Sequence, residues 1–172
     1  MCIRDRPATS VNKTEINIHE VTEHVIDLFK FDLKNKEVIF YKDYDPSMPE
    51  ISTNKEQLIQ ALINLVRNSI QALEHKGDVS IRTRTETSYT IGNSKYSLVA
   101  KIDVIDNGPG IPEDKLKEIF YPMVSTKTEG MGLGLTIAQS IIIQNQGLIE
   151  CSSKQRETVF TIVLPIKSST NE

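Results

Sequence analysis

The chain has 172 residues, 38% of them hydrophobic and 25% charged, with a formal net charge of −3. That length holds one ordinary domain with a sizeable core, and the slightly acidic balance leaves no basic footprint for a nucleic-acid partner. The longest purely aliphatic runs, such as Ile141 to Ile143, fall far short of the roughly 20 residues a membrane span needs. Two cysteines, Cys2 and Cys151, make neither a disulfide framework nor a zinc site and fit a reducing, cytoplasmic setting.

Residues 1–15 read as a tail or linker. Met1 to Arg6 lacks the apolar core of a secretion signal and looks like a fragment boundary or a non-native addition, and Pro7 to Ser10 is linker-like. Ile16 and Ile18, alternating with Asn17 and His19, predict a short strand. Val21 to Phe31 follows as a helix, with apolar residues at 21, 25, 28 and 29. Val38 to Tyr44 is β-rich and closes on the turn signal Asp45-Pro46. Thr53 and Glu56 form a capping-box pattern ahead of the clearest helix, with Gly77 as its stop. Leu58, Leu62, Leu65, Ala72 and Leu73 share one face of it, whereas Gln60, Asn64, Asn68 and Gln71 fall on a strip of another.

Val79 to Thr87 and Tyr96 to Ile105 read as two strands of a hairpin turning at Ile91-Gly92-Asn93-Ser94. Pro112 opens a short helix to Phe120, and the stretch from Tyr121 to Gly130 has no pattern and is expected to be a loop. Leu133 to Gln146 is helical again, with Leu133, Ile137 and Ile141 at fours and Gly147 as the stop. Leu148 to Ser152 and Val159 to Leu164 close the chain as strands. Three long helices and strands outside strict βαβ alternation predict an α+β fold, a mixed sheet covered by helices on one face.

Three segments carry chemistry. Asn64-Leu-Val-Arg-Asn68 places two carboxamides at i and i+4, where oxygens can hold Mg²⁺ and N–H groups can meet phosphate. Read alone, they are more readily polar residues on a solvated face. Asp106-Asn107-Gly108-Pro109-Gly110 follows a strand, so its carboxylate can accept from an exocyclic amine and its glycines let backbone approach a flat ring. Read alone, it is equally an ordinary turn. Gly130-Met-Gly132-Leu-Gly134-Leu-Thr136 opens a helix, where free N–H groups and the helix dipole suit a phosphate. Leu135-Thr136 after the last glycine rules out a Walker loop, and the missing strand before it rules out a Rossmann turn.

Taken in order, paired Asn on a helix, D-x-G-x-G, a loop and G-x-G-x-G on a helix resemble the N, G1, F and G2 boxes of the Bergerat-fold ATPases and kinases. That group includes histidine kinases, DNA gyrase, the MutL mismatch-repair protein and heat-shock chaperones. The resemblance runs from about Ile16 to Ile166. It implies a two-layer α/β sandwich, with a mixed, mostly antiparallel sheet and three long helices on one face. An ATP-binding catalytic domain would span 16–167, followed by a short tail at 168–172. Ser125-Thr126-Lys127 resembles the lid element of histidine kinases, Phe120 takes the F-box position, and Phe160 to Pro165 resembles their final strand. Tyr41 to Pro46, Val66 to Leu73, Phe120 to Ser125 and the Tyr89–Tyr96 hairpin are similar to nitrogen-regulation sensor kinases of the NtrB type. Met123 departs from the second aromatic of most F boxes and shares that departure with this branch.

The resemblance also assigns roles. Asp106 would accept from the adenine amine, with Gly108, Gly110, Ile111 and Phe120 around the base and Thr158 helping to hold it. Asn64 would hold Mg²⁺ and Asn68 would face the phosphates. Ser125, Thr126 and Lys127 in the lid, with Gly130, Gly132, Leu133, Gly134 and Leu135, would surround the phosphates, Lys127 neutralising the γ-phosphate. Gln71 stands where many relatives have a Lys, and Arg67 is the nearby cation that would compensate. Gln60 stands where gyrase-type ATPases carry a glutamate base, and a carboxamide cannot take a proton from water. Poor hydrolysis and transfer to an external nucleophile are therefore expected.

His19-Glu20 lacks the proline of the phosphoacceptor motif, and His24 and His75 have no motif around them. The acceptor histidine is accordingly expected on a separate dimerising hairpin, with this chain a monomeric catalytic fragment active only in trans. An NtrC-type response regulator and a PII signalling protein are the further partners the resemblance implies. Two alternatives stay open at this point, a serine kinase of the anti-sigma-factor type and a nucleotide-dependent interaction module or ATPase of the same fold.

Overall fold

The computed structural model describes residues 12–33, 35–121 and 134–167. Strand β1 (Thr14–Ile16) leads into helix α1 (Ile18–Asp32), whose cap is Asn17, with its side chain accepting from the His19 N–H. Ile18 is therefore the first residue of a helix and not the end of a strand. A side-chain acceptor at the N-terminus outweighs a two-residue alternation. The buried face of α1 is Val21, Val25, Ile26 and Phe29, and Leu28 lies half exposed. Strand β2 (Glu37–Asp43) ends at the Asp45-Pro46 turn, which the Asp45 carboxylate closes by accepting from Ser47 N–H at 2.9 Å.

Strand β3 (Ile51–Thr53) pairs antiparallel with β1 as a separate two-stranded ribbon. Helix α2 (Lys55–Ala72) is capped by Asn54, whose side chain accepts from Gln57 N–H at 2.9 Å. The expected capping box at Thr53 and Glu56 is thus displaced by one residue, because Thr53 is held in β3. Gly77 is not the stop of α2 but a residue of β4 (Lys76–Ile91). The helix ends earlier, at Leu73, whose N–H returns to Ile70 O. Strand β5 (Ser94–Asp106) returns from β4 through Gly92-Asn93, with Gly92 at φ 59 supplying the positive angle a tight hairpin needs.

After β5 the one-turn helix α3 (Glu113–Leu116) is shorter than the expected run to Phe120. Helix α4 (Gly134–Gln144) buries Ala138 and Ile142, whereas Ile137 is half exposed, so the spacing at fours marks a neighbouring stripe rather than the core face. Strands β6 (Leu148–Lys154) and β7 (Glu157–Pro165) complete the sheet. Gly147 follows α4 for reasons of space. The left-handed position is taken by Gln146, at φ 64, and a Cβ on Gly147 would stand 2.5 Å from Val163 O.

The main sheet has the order β2-β4-β5-β7-β6, with β2 parallel to β4 and the other neighbours antiparallel. Alternate residues Val79, Ile81, Ile102, Val104, Phe160 and Ile162 face one continuous core with the apolar sides of α1, α2 and α4. On the other face a polar network runs from Arg82 to Asp103 at 2.8 Å and on to the Thr161 hydroxyl at 2.7 Å. The molecule is therefore two layers, helices on one side of a mixed, mostly antiparallel sheet.

One buried side chain aligns the two helices that bear the glycine and asparagine motifs. Asn145, 5% exposed at the C-terminal end of α4, accepts from the Thr53 hydroxyl at 2.9 Å and donates to Gln57 Oε1 at 2.9 Å and Ile141 O at 2.9 Å. This pins the start of α2 to the end of α4, so the two helices run antiparallel and the start of α4 lies toward the C-terminal half of α2. Asn145→Ala should cost about 3 kcal/mol, since it strands the buried Thr53 hydroxyl and the half-buried Gln57 amide at once. Urea unfolding would read this as a lower midpoint at unchanged slope, and a loss under about 1 kcal/mol would show that water replaces the network.

Candidate active site

Polar residues buried within the core layer collect at one end of the sheet. Asp106 ends β5 at 2% exposure, opposite Val79 on β4 and Thr158 on β7, itself 3% exposed. Residues directly opposite in a sheet share a face, so the Asp106 and Thr158 side chains stand side by side above Phe160. Asp106 Oδ1 accepts from Gly108 N–H at 3.0 Å. The chain after Asp106 passes so close to α2 that a Cβ on Gly108 would lie 2.9 Å from that carboxylate oxygen and 3.2 Å from Ala72 O. Gly110 has φ 85, and a Cβ there would meet Lys154 O at 2.5 Å, so both conformation and space require glycine. Ile111 N–H then donates to Ser153 Oγ at 2.7 Å, fastening this loop to the β6–β7 hairpin.

Asn107 holds the base of the loop. Its side-chain oxygen accepts from Asp78 N–H at 2.8 Å and its own N–H donates to Asp78 O at 3.3 Å. Phe120 meets Phe160 edge-to-face at 6.5 Å between centroids, and its carbonyl accepts from the Thr136 hydroxyl at 3.1 Å, which ties the end of the α3 segment to the start of α4. Cys151, paired with Phe160 on the same face, has its thiol pushed up to about 12 by burial and secondly by the Asp106 charge, so it is an uncharged wall of this region.

On α2, Asn64 is 6% exposed, and its Oδ1 accepts from Gln60 Nε2 at 3.2 Å. Asn64 Nδ2 is buried with no hydrogen-bond partner among the described residues. An unmet buried amide costs about 1–3 kcal/mol, a cost that a binding site tolerates because a ligand removes it. Asn68 is half-buried one turn on, and Arg67, Gln71 and Gln60 are exposed. Gly134 is exposed and Leu135 half-buried against the core at the start of α4.

The structure thus gathers Asp106, Gly108, Gly110, Ile111, Phe120 and Thr158 at one end of the sheet, beside the C-terminal half of α2. Ser125, Thr126, Lys127, Gly130, Gly132 and Leu133, with Met123, lie outside the described residues. Sequence reasoning missed Ser153, Asn107 and Asn145. Their signal is weak, a single polar residue at a strand or helix end, and β6 was expected to stop at Ser152. His19 is engaged elsewhere. It stacks on Tyr44 at 4.5 Å, its Nε2 lies 2.9 Å from Thr83 Oγ1, and burial lowers its pKa.

Residues 53–168 match the family of histidine kinase-, DNA gyrase B-, and HSP90-like ATPases. The chain is 45% identical over 152 residues to the sensory histidine kinase/phosphatase NtrB of Klebsiella oxytoca, covering 88% of this chain and 43% of that protein. It is 44% identical over 162 residues to the NtrB of Escherichia coli O157:H7, covering 94% and 45%. It therefore spans less than half the length of these curated relatives. Among solved structures, the nucleotide-free catalytic domain of the histidine kinase ThkA superposes with a TM-score of 0.75 at 31% identity, over 90% of this chain and 95% of that one. ThkA in complex with the response regulator TrrA gives a TM-score of 0.72 at 27% identity, over 92% and 43%. The two-layer architecture is the one these catalytic domains share.

Proposed function

We propose, since the chain belongs to the family of histidine kinase-, DNA gyrase B- and HSP90-like ATPases, that it is the ATP-binding catalytic part of an NtrB-type sensor kinase. It would bind ATP at the Asp106 end of the sheet and pass the γ-phosphoryl group to a histidine on a separate phosphoacceptor hairpin. The observation that carries transfer over hydrolysis is the Gln60–Asn64 contact, where an amide rather than a carboxylate faces the buried Asn64. An amide has no basic lone pair to draw a proton from water. The reaction left to this site is attack by an external imidazole nitrogen on the γ-phosphorus, with the bridging P–O bond breaking and ADP leaving with the electron pair.

The residues present suit Mg²⁺ bound together with the nucleotide. The Gln60–Asn64 amide pair can reverse together by half-turns, keeping their hydrogen bond and bringing the Asn64 oxygen to the buried position now held by Nδ2. Among the described residues no three His, Cys, Asp or Glu converge on a metal-sized space, so Asn64 would hold the ion jointly with phosphate oxygens and water, as Mg²⁺ prefers. When bound, the ion would supply neutralisation of phosphate charge. Asp106 and Thr158 would orient the base, Gly108 and Gly110 would let it approach the backbone, and Asn68 would face the phosphates. Ser125, Thr126, Lys127 and the glycines from Gly130 to Gly134 are assigned the phosphate side, with Lys127 meeting the γ-phosphate and Arg67 adding charge from α2.

His24 and His75 are exposed without surrounding motif and His19 is engaged with Thr83 and Tyr44, which supports an acceptor elsewhere. NtrC-type regulators and PII proteins follow as partners, and a cytoplasmic location fits this chemistry. Among the described residues no helix is long and apolar enough to cross a membrane. The test is incubation with Mg²⁺ and γ-labelled ATP, with and without an NtrB-type hairpin carrying the acceptor histidine. Acid-labile label on the hairpin, with little free phosphate in its absence, is the expected result. Rapid phosphate release by the chain alone would place it on the ATPase branch, and acid-stable label would point to a serine acceptor.

A further inference from the structure

Ser153 belongs to none of the motifs, yet three parts of the proposed base site meet at its hydroxyl. Ile111 N–H donates to Ser153 Oγ at 2.7 Å, Ser153 Oγ donates to Glu157 O at 3.1 Å, and Thr158 Oγ1 lies 3.1 Å away. A serine hydroxyl has one hydrogen and two lone pairs. A backbone N–H can only donate and a carbonyl can only accept, so Ile111 takes one lone pair and Glu157 takes the hydrogen. One lone pair is left for Thr158, and filling it requires the Thr158 hydroxyl to donate. Its single hydrogen then points at Ser153, and lone pairs alone remain for anything on its other side.

Thr158 is directly opposite both Ser153 on β6 and Asp106 on β5, so all three side chains share one face. Thr158 and Asp106 are 3% and 2% exposed, which leaves little water to correct a mismatch. Two neighbouring acceptors suit the two hydrogens of an exocyclic amine and oppose a carbonyl oxygen in the same place.

We propose that Ser153 is a positioning residue that sets the direction of the Thr158 hydroxyl and thereby sharpens the preference for a 6-amino over a 6-oxo purine. The inference rests on the nucleotide reading of this site. Without Ser153, the Thr158 hydrogen is free to turn toward the base and donate to a 6-oxo group, so discrimination falls while the Asp106 acceptor remains.

The test compares ATP and ITP, which differ at this edge of the base, by calorimetric titration of the whole chain with Mg²⁺ present. Ser153→Ala should narrow the ratio of the two affinities by about tenfold, and Ser153→Thr, which restores a hydroxyl, should recover it. A role in fastening the loop alone would weaken both nucleotides equally, and an unchanged ratio overturns the proposal. Thr158→Val removes the oriented hydroxyl itself and should narrow the ratio as Ser153→Ala does. Should Ser153→Ala fail to fold, full discrimination in Thr158→Val overturns the proposal on its own. A wild-type chain that binds neither nucleotide overturns the site reading as a whole, an outcome distinct from binding with an unaltered ratio.

Discussion

Replacing Asp106 with Ala should lower ATP affinity at least about a hundredfold while the chain still folds. The carboxylate is nearly inaccessible, ends a strand in the middle of the sheet, and shares its face with Thr158 and Phe160. A charged acceptor in such a place is costly to desolvate and suits a ligand that presents a matching donor. An exocyclic amine fits, and truncation removes the acceptor it would meet. Asp106→Asn separates chemistry from volume. It keeps an oxygen for the Gly108 N–H that Asp106 now accepts, but can present a donor to the amine. It should bind ATP nearly as poorly as the alanine variant while unfolding close to wild type. Calorimetric titration with Mg·ATP measures both, and wild-type affinity in Asp106→Asn would move the base to another part of the molecule.

Much of this site was legible because its chemistry is compressed into short runs. Asp106, Gly108 and Gly110 sit within five residues; read alone they suit an ordinary turn equally well, and only their order with the paired Asn and the glycine-rich helix start marked a loop that brings backbone close to something flat. The structure gives physical reasons for two of those glycines, the Ala72 carbonyl beside Gly108 and the Lys154 carbonyl beside Gly110. Neither reason is local in sequence. The strip carrying Gln60 and Asn64 was readable too, since residues four apart on a helix are neighbours, and the structure adds that these two meet at 3.2 Å.

What escaped was set by contacts between distant segments. Asn145 holds Thr53 and Gln57 across some ninety positions of sequence, and a single asparagine at a helix end reads as an ordinary cap. Ser153 acquires its role only when β6 and β7 pair in a register that sets it opposite Thr158. The apolar spacing in α4 misled because this helix is hydrophobic nearly all round. Ile137 and Ile143 are exposed while Ala138 and Ile142 face the core, and periodicity cannot choose between stripes when both are apolar. The start of α2 failed by one residue for a related reason. Thr53 looks like a cap, but β3 claims it, and the cap passes to Asn54.

Asn64→Ala should separate function from stability more sharply than any other single change. Asn64 is buried on α2 with Nδ2 unmet among the described residues, and its only hydrogen bond there is to the exposed Gln60. Truncation removes that unmet group and gains about 0.6 kcal/mol of helix propensity, against the packing lost with a small side chain. Gln60 loses its partner to water at little cost. The nucleotide-free chain should therefore melt within a few degrees of wild type, or above it. Phosphotransfer to the hairpin should instead fall by about a hundredfold or more, because the carboxamide proposed to meet Mg²⁺ and phosphate is gone. Thermal melting without nucleotide and a timed transfer assay under saturating ATP measure the two effects. Unequal loss, with transfer collapsed and the fold intact, is what a residue retained for chemistry predicts. Loss of folding in proportion to loss of transfer would make Asn64 a packing residue, and Mg²⁺ would then have to be held elsewhere.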